Sequence, residues 1–283
     1  MGKLVNLMKI PKIIHYCWFG GNPKPELVER CMESWHRCMP GNVICKMERQ
    51  DGYVKCREWV YIEWNESNFD IAAAPLYVRQ AYEAKKFAFV SDYVRLCALE
   101  QYGGVYFDTD VELIRSFNEL LEFTNTNTNT NTSFIGFEES KAKTLGTNVI
   151  GCEPHCSWVR DMLEYYQTHA FIKVNGDRVE FDMTANSELI ARLMEKYGLV
   201  RNGKEQVVRI KEEGKKTEEV HIYDYHYFSP ITSTRVMRKN KNTFSIHHCY
   251  GSWTSGSRGN RFRNSAIVRE IVNALIQIKR LFE

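Results

Sequence analysis

One stretch limits the folds open to this chain more than any other: Ser91–Asp110, SDYVRLCALEQYGGVYFDTD. Val90, Val94, Cys97 and Ala98 recur at three- and four-residue spacing, which is one apolar face of a helix. Gly103-Gly104 stops that helix. Val105-Tyr106-Phe107 then reads as a short buried strand running straight into Asp108-Thr109-Asp110. Asp92 and Arg95 are three apart and share a helix face. A helix from Asp92 to Gln101 rises roughly 14 Å. A strand from Gly104 to Asp108 returns roughly 13 Å. With a tight turn between them, Asp108 comes back level with Asp92 and Arg95. Four charged groups, Asp92, Arg95, Asp108 and Asp110, are therefore expected to meet at the carboxyl end of a strand, the edge where open α/β sheets bind ligands.

The remaining chain supplies the other layers of such a fold. Residues 11–20 read as a buried first strand, closed by Gly20-Gly21. Pro25 to Trp35 has helical spacing, with Pro25 suited to a first turn. Strands are expected near Val43–Met47, at 59–64 (or a buried loop there), at Phe134–Phe137 and at Val149–Cys152. Pro75 to Leu99 reads as two helices broken around Lys85–Phe87, and further helices are expected at 155–170 and 185–197. Residues 201–220 are read as an exposed hairpin or insertion, and Phe244–Cys249 as a late strand. The repeat TNTNTNTNT at 124–132 is polar and of low complexity, and is read as a solvated loop outside the core. An amphipathic helix is expected at about 264–282. Strands alternating with helices imply a mixed α/β fold, a mostly parallel sheet flanked by helices. No linker is evident, so residues 1–283 are read as one domain.

Composition narrows the function. Lys plus Arg is 38 and Asp plus Glu 35, a net charge of +3, too balanced for a nucleic-acid binder. No apolar run reaches the roughly 18 residues that span a bilayer. The opening residues lack a signal-peptide core, and Asn6 breaks a myristoylation pattern after Gly2. Nine cysteines without a C-x-x-C read as reduced thiols. The spacings of Cys31, Cys38 and Cys45, and of Cys152 and Cys156 beside His155, do not match zinc modules. A cytoplasmic location is expected.

Two carboxylates at i and i+2 past a buried strand suit a hard divalent cation, Mg²⁺ or Mn²⁺, which can bridge diphosphate oxygens. The run S-D-x-x-R-x(7)-G-G-x-Y-x-D-x-D resembles glycosyltransferases with the D-x-D sugar-binding region. These include Och1-like mannosyltransferases, bacterial capsular polysaccharide glycosyltransferases (family 32-like) and the glucosyltransferase domains of large clostridial toxins. Ile10–Gly21, IPKIIHYCWFGG, resembles the family's first strand, and Ile246–Trp253, IHHCYGSW, its late H-x(4)-S-W element. The resemblance implies a Rossmann-like GT-A fold, a nucleotide-sugar donor, a divalent metal and retention at the anomeric carbon. It implies hexose transfer, with a uridine donor preferred, to a saccharide or lipid-linked acceptor in surface polysaccharide synthesis.

Carried over residue by residue, the resemblance implies that Trp18 stacks on the donor base. Ser91, Asp92, Arg95 and Thr109 belong to the donor site, Asp92 and Arg95 contacting sugar hydroxyls and phosphate. Asp108 touches ribose, sugar or metal, Asp110 ligates the metal, and one of His247 or His248 completes the set, with His247 favoured. Ser252 and Trp253 close over the diphosphate. The catalytic set is then Asp92, Arg95, Asp108 and Asp110. Thr184-Ala185-Asn186 departs from the Thr-Gly-Pro of many relatives, on the acceptor side. Asn148 and Asn186 are read as a turn residue and a helix cap, with approach to the reacting sugar as the other reading. The terminal helix, rich in Ile, Val and Leu and flanked by Arg and Lys, packs on the domain or attaches peripherally to an anionic membrane.

Two other readings compete. Val105–Val111 also fits the opening motif of haloacid-dehalogenase-like phosphohydrolases, with Asp108 as nucleophile, Asp110 as acid/base and Gly176-Asp177 with Asp182 imitating their later acidic motif. That reading leaves S-D-x-x-R and G-S-W unexplained. A non-catalytic carbohydrate-binding protein needs no metal–diphosphate site. An EF-hand fails because Leu113 stands where glycine is required.

Overall fold

The computed structural model describes residues 10–43, 58–124, 130–139, 143–175, 178–232 and 236–249. In chain order the first half runs β1 (Ile13–Cys17), α1 (Glu26–Cys38), β2 (Gly41–Val43), β3 (Trp59–Trp64), α2 (Leu76–Glu83), α3 (Phe87–Tyr102), β4 (Gly104–Phe107), β5 (Val111–Leu113) and α4 (Asn118–Thr124). The second half runs β6 (Asn131–Phe137), β7 (Leu145–Cys152), α5 (Ser157–Thr168), β8 (Ile172–Asn175), β9 (Arg178–Phe181), α6 (Asn186–Lys196), β10 (Gln206–Ile210), β11 (Glu218–Tyr223), α7 (Tyr225–Phe228) and β12 (Ser245–His247).

Eight strands form one sheet in the order β10-β11-β6-β7-β4-β1-β3-β2. The pairs β2–β3, β3–β1, β1–β4 and β6–β11 are parallel, and three pairs are antiparallel, so the sheet is mixed and mostly parallel, as expected. Its centre is covered on both faces, which is why β1 (IIHYC) and β4 (GVYF) are buried throughout. One face packs against α2, α3, α5 and α6 through Val78, Val94, Leu99, Trp158 and Ile190. The other packs against α1 and α4 through Trp35, Phe107, Phe117 and Phe134.

The turn that aims β4 depends on its two glycines. Gly103 has φ 61, and a Cβ there would sit 2.7 Å from Pro154 Cδ. Gly104 has φ 103, and its Cβ would lie 2.6 Å from the Ile13 carbonyl oxygen. His15, fully buried in β1, donates from Nε2 to the Gly103 carbonyl at 2.8 Å and accepts at Nδ1 from Trp64 Nε1 at 3.2 Å. Burial lowers its pKa to about 4, against the opposing pull of the Gly103 carbonyl. Neutral His15 thus ties the turn to the sheet.

Beyond β4 the chain makes a small second ladder. Strand β5 pairs antiparallel with β12, placing His247 opposite Val111. Helix α1 clamps β5 from outside: Trp35 Nε1 donates to the Val111 carbonyl at 2.6 Å, and Leu113 N donates to Ser34 Oγ at 2.7 Å.

Several expectations change. Residues 59–64 are strand β3, and the strand expected near Val43–Met47 is seen as Gly41–Val43, its remainder lying outside the described residues. The expected loop at 124–132 gives up both ends, since α4 runs to Thr124 and β6 starts at Asn131. Thr132 is buried and its N–H donates to Glu153 Oε1 at 2.7 Å, so backbone pairing overrides side-chain polarity there. Residues 201–220 do form a hairpin, but β11 is inserted beside β6 with Val220 and Ile222 buried, which makes it part of the sheet. Asn148 lies inside β7 and is no turn residue. Asn186 is the first residue of α6 and does not cap it; Ala185 holds that position without a side-chain bond. The β8–β9 hairpin, β5, α4 and α7 had no counterpart in the sequence reading.

Candidate functional site

A cleft of about 610 Å³ opens at the carboxyl ends of β1 and β4. Asp92, Arg95, Asp108, Asp110 and His247 all line it. Helix α3 delivers Arg95, only 4% exposed, into the centre. Its Nη2 lies 2.8 Å from Asp92 Oδ1 and 3.3 Å from Asp108 Oδ1. Nη1 donates to the Thr147 carbonyl at 2.8 Å, and Nε to the Ser91 carbonyl at 3.2 Å. The guanidinium sits 4.5 Å from the Tyr106 ring, whose hydroxyl donates to Asp108 Oδ1 at 3.0 Å. Burial works against the charge on Arg95. Tyr106, Asp108 and Asp92 outweigh it and raise its pKa. Burial pushes Asp92 up to about 6, with Arg95 pulling the other way. Arg95 is therefore a fixed bracket between two carboxylates from different elements, a role its planar fork suits.

Asp110 faces the late strand. His247 Nε2 lies 3.3 Å from Asp110 Oδ1. Ligand-capable atoms of Asp108, Asp110 and His247 all lie within 4.8 Å of one another. Alternation along β12 turns the next residue away: His248 Nε2 meets Glu112 Oε2 at 2.8 Å, and neither residue lines the cleft. Burial disfavours charge on His247, but Asp110 and Cys249 more than compensate and hold its pKa well above the ordinary value. Two carboxylates and one imidazole form a hard-to-borderline donor set that fits Mn²⁺ or Mg²⁺.

Trp18, partly exposed, lines the cleft just past β1 and donates from Nε1 to the Asn22 carbonyl at 2.7 Å. Ser91 and Thr109 also line it, although the Ser91 hydroxyl donates back to the Phe87 carbonyl at 3.0 Å. Ser252, Trp253 and the terminal segment 264–282 lie outside the described residues. Among the described residues no helix is long and apolar enough to cross a membrane.

Two asparagines join the same cleft. Asn148 accepts at Oδ1 from Ser229 Oγ at 3.3 Å, and Asn186 Nδ2 donates to the Asp92 carbonyl at 3.4 Å. Asn148 Nδ2 and Asn186 Oδ1 are buried and have no hydrogen-bond partner among the described residues. Tyr106 and Cys249 were missed from sequence as site residues. Tyr106 could have been found as the residue two before Asp108, on the same strand face. Cys249 gave no signal beyond lying two residues after His247.

Asp182, part of the phosphohydrolase reading, does not join the Asp108–Asp110–His247 cluster. It is buried, ion-paired with Lys173 at 3.0 Å, accepts from Thr184 Oγ1 at 2.6 Å, and does not line the cleft. Asp177 lies outside the described residues.

Residues 25–127 match the family described as glycosyltransferase sugar-binding region containing DXD motif. No curated protein matches the chain. Among solved structures it resembles PaToxG glycosyltransferase, at 18% identity over 55% of this chain and 59% of that one, with a TM-score of 0.38. The chain thus spans under two thirds of that protein. It also resembles a glycosyltransferase involved in the glycosylation of the major capsid of PBCV-1, at 10% identity over 89% of this chain and 100% of that one, with a TM-score of 0.41. The family match encloses Ser91–Asp110 whole, so this part of the chain is similar to the DXD-containing sugar-binding region of glycosyltransferases.

Proposed function

We propose that the cleft binds a nucleotide sugar, with UDP-hexose preferred, and transfers the hexose with retention to a saccharide or lipid-linked acceptor in surface polysaccharide synthesis. The observation that carries the reading is the approach of Asp108, Asp110 and His247 to one another beside the Arg95 bracket. Those three residues would hold Mn²⁺ or Mg²⁺. When bound, such a cation offsets the charge that builds on a departing diphosphate.

The chain's own groups do the rest. Tyr106 and Arg95 fix the Asp108 carboxylate from two sides, so it needs no reorganisation when a ligand enters. Arg95 adds a permanent positive charge in a site of restricted solvent. Asp92, held by Arg95, faces the donor sugar in this reading, and the unpartnered amide atoms of Asn148 and Asn186 offer hydrogen bonds to its hydroxyls. Trp18 offers a stacking surface to the base; Ser252 and Trp253, outside the described residues, keep the diphosphate role that the family resemblance implies. Asp92 is engaged by Arg95, and Glu138, the other carboxylate lining the cleft besides Asp108 and Asp110, accepts from Thr144 Oγ1 at 3.0 Å, so neither is assigned as a covalent nucleophile. The acceptor oxygen then attacks the face from which the diphosphate leaves, and its proton passes to the leaving phosphate.

Calorimetric titration of UDP with and without Mn²⁺ tests the reading, together with a screen of nucleotide sugars for metal-dependent hydrolysis. Metal-dependent UDP binding that disappears in Asp110→Asn is expected. UDP binding of equal strength with and without metal, in both proteins, would refute the metal assignment. The terminal segment 264–282 is part of the same proposal as a peripheral membrane attachment. Removing it while retaining donor hydrolysis separates that role from packing in the core.

A further inference from the structure

Charge is unevenly distributed along this chain. Between Asp224 and Glu270 there is no aspartate or glutamate, while eight lysines and arginines fall in those 45 residues. The rest of the chain then carries 30 basic residues against 35 acidic ones. The modest net charge hides an acidic body and a basic late segment.

The described part of this segment is a strap that leaves α7 and returns to β12. Ile231 bridges Met237, Thr232 N donates to the Val236 carbonyl at 2.9 Å, and Arg238 N donates to the Pro230 carbonyl at 2.7 Å. Six consecutive residues, Val236–Lys241, are exposed. Val236 is 50% exposed and Met237 41%. On the neighbouring loop Ile114 is 40% exposed, and its N–H donates to the Phe244 carbonyl at 3.0 Å. Arg115 anchors the strap: it donates to the Lys241 carbonyl at 2.7 Å and lies 4.3 Å over the Phe244 ring. The acidic groups near the strap's ends are engaged: Glu119 by Arg115, Glu112 by His248, and Asp224 by His226. No ion pair holds Arg238, Lys239 or Lys241 among the described residues.

We propose that Val236–Lys241, with Ile114 beside it, is a docking surface for an anionic membrane. A soluble polyanion would be served by the cations alone. Apolar side chains exposed beside three cations suit an interface where headgroup phosphates meet the charges and the acyl boundary takes Val236 and Met237. The strap is joined to the cleft at both ends. Ser229, at its start, donates to Asn148, and Ser245, at its end, opens the strand that carries His247. Docking here holds the cleft beside the lipid surface. Only that last consequence, access to a lipid-linked acceptor, rests on the proposed function.

Vesicle flotation of the full chain tests the surface. The vesicles are phosphatidylcholine alone, or phosphatidylcholine mixed with phosphatidylglycerol, each at low and high salt. Binding only to the anionic vesicles, and only at low salt, is expected. Each cation contributes about fivefold in partitioning (about 1 kcal/mol), so Arg238→Glu/Lys239→Glu/Lys241→Glu loses at least about 100-fold. Val236→Ser/Met237→Ser weakens binding about tenfold at unchanged charge. Both variants keep the wild-type melting midpoint and donor hydrolysis. Unchanged flotation of the triple variant overturns the proposal and moves the contact to 264–282 or elsewhere. So does a lack of wild-type flotation at low salt. Tight binding to heparin with no effect of Val236→Ser/Met237→Ser would make the patch a polyanion site instead. Flotation without any donor hydrolysis would sink the glycosyl-transfer reading and leave the membrane surface standing.

Discussion

His15→Gln should flatten the acid limb of this protein's stability profile. His15 is fully buried with a pKa of about 4, against 6.5 for an exposed histidine. Between those values the unfolded chain binds a proton that the folded chain refuses, so stability falls as pH drops through that window. The full shift of about 2.5 pH units corresponds to about 3.4 kcal/mol at 1.36 kcal/mol per unit. Over the practical range from about pH 7.5 to about pH 4.5 the loss from this residue is about 2.5 kcal/mol. Glutamine can still donate to the Gly103 carbonyl or accept from Trp64, and it never charges. The variant should be weaker at neutral pH by about 1–2 kcal/mol through imperfect packing. Its loss on acidification should nevertheless be about 2.5 kcal/mol smaller than that of wild type. Asp92 pulls the other way, since its pKa of about 6 lies above the unfolded value and favours the folded state at lower pH. Its contribution is common to both proteins and drops out of the difference. Urea midpoints and slopes measured for both proteins across this range give that difference directly. Parallel profiles would show that His15 does not titrate between folding and unfolding, and the neutral buried imidazole would be refuted.

Three further outcomes are expected. Arg95→Lys should lower kcat/KM by at least about 100-fold, because one ammonium cannot bracket Asp92 and Asp108 while bonding the Thr147 carbonyl; near-native kinetics would make Arg95 replaceable by a point charge. Gly104→Ala should cost about 3 kcal/mol or more in chemical denaturation, since it combines φ 103 with a contact of 2.6 Å to the Ile13 carbonyl; a loss under about 1 kcal/mol would mean the turn relaxes freely. Deleting two residues from 125–128 should change stability by under about 0.6 kcal/mol, whereas Thr132→Pro should cost about 3 kcal/mol by removing the N–H that Glu153 accepts; equal melting shifts would contradict the strand assignment.

The centre of the site was legible because its geometry is local. Helix α3, two glycines and β4 are consecutive, so rise per residue alone places Asp108 near Arg95. The choice of His247 over His248 followed from the family resemblance, and strand alternation separates the two, one towards Asp110 and the other towards Glu112. Elements of three or four residues, such as β5 and α7, carry too few side chains for a period to register. The start of β6 was misread because Asn131-Thr132 looks like the polar repeat before it. Pairing with β11, nearly ninety residues later, decides its state. Asn148 and Asn186 were seen as surface punctuation because sequence cannot show which polar residue lies under a cleft.

The β5–β12 ladder sets an order on how the cleft is completed. Asp108 and Asp110 leave the ribosome about 140 residues before the histidine that meets them. Until β12 pairs with β5, the nascent chain carries the two aspartates without the histidine that completes their cluster, whatever the state of the large sheet. A chain released early, at any point before Ser245, would present a folded-looking sheet with only two of the three side chains of that cluster. The cluster is therefore completed in one late step, through a contact of high sequence separation that forms slowly compared with the helix and turn beside it. The Asp108–Asp110–His247 cluster is thus incomplete until nearly all of the described core is in place.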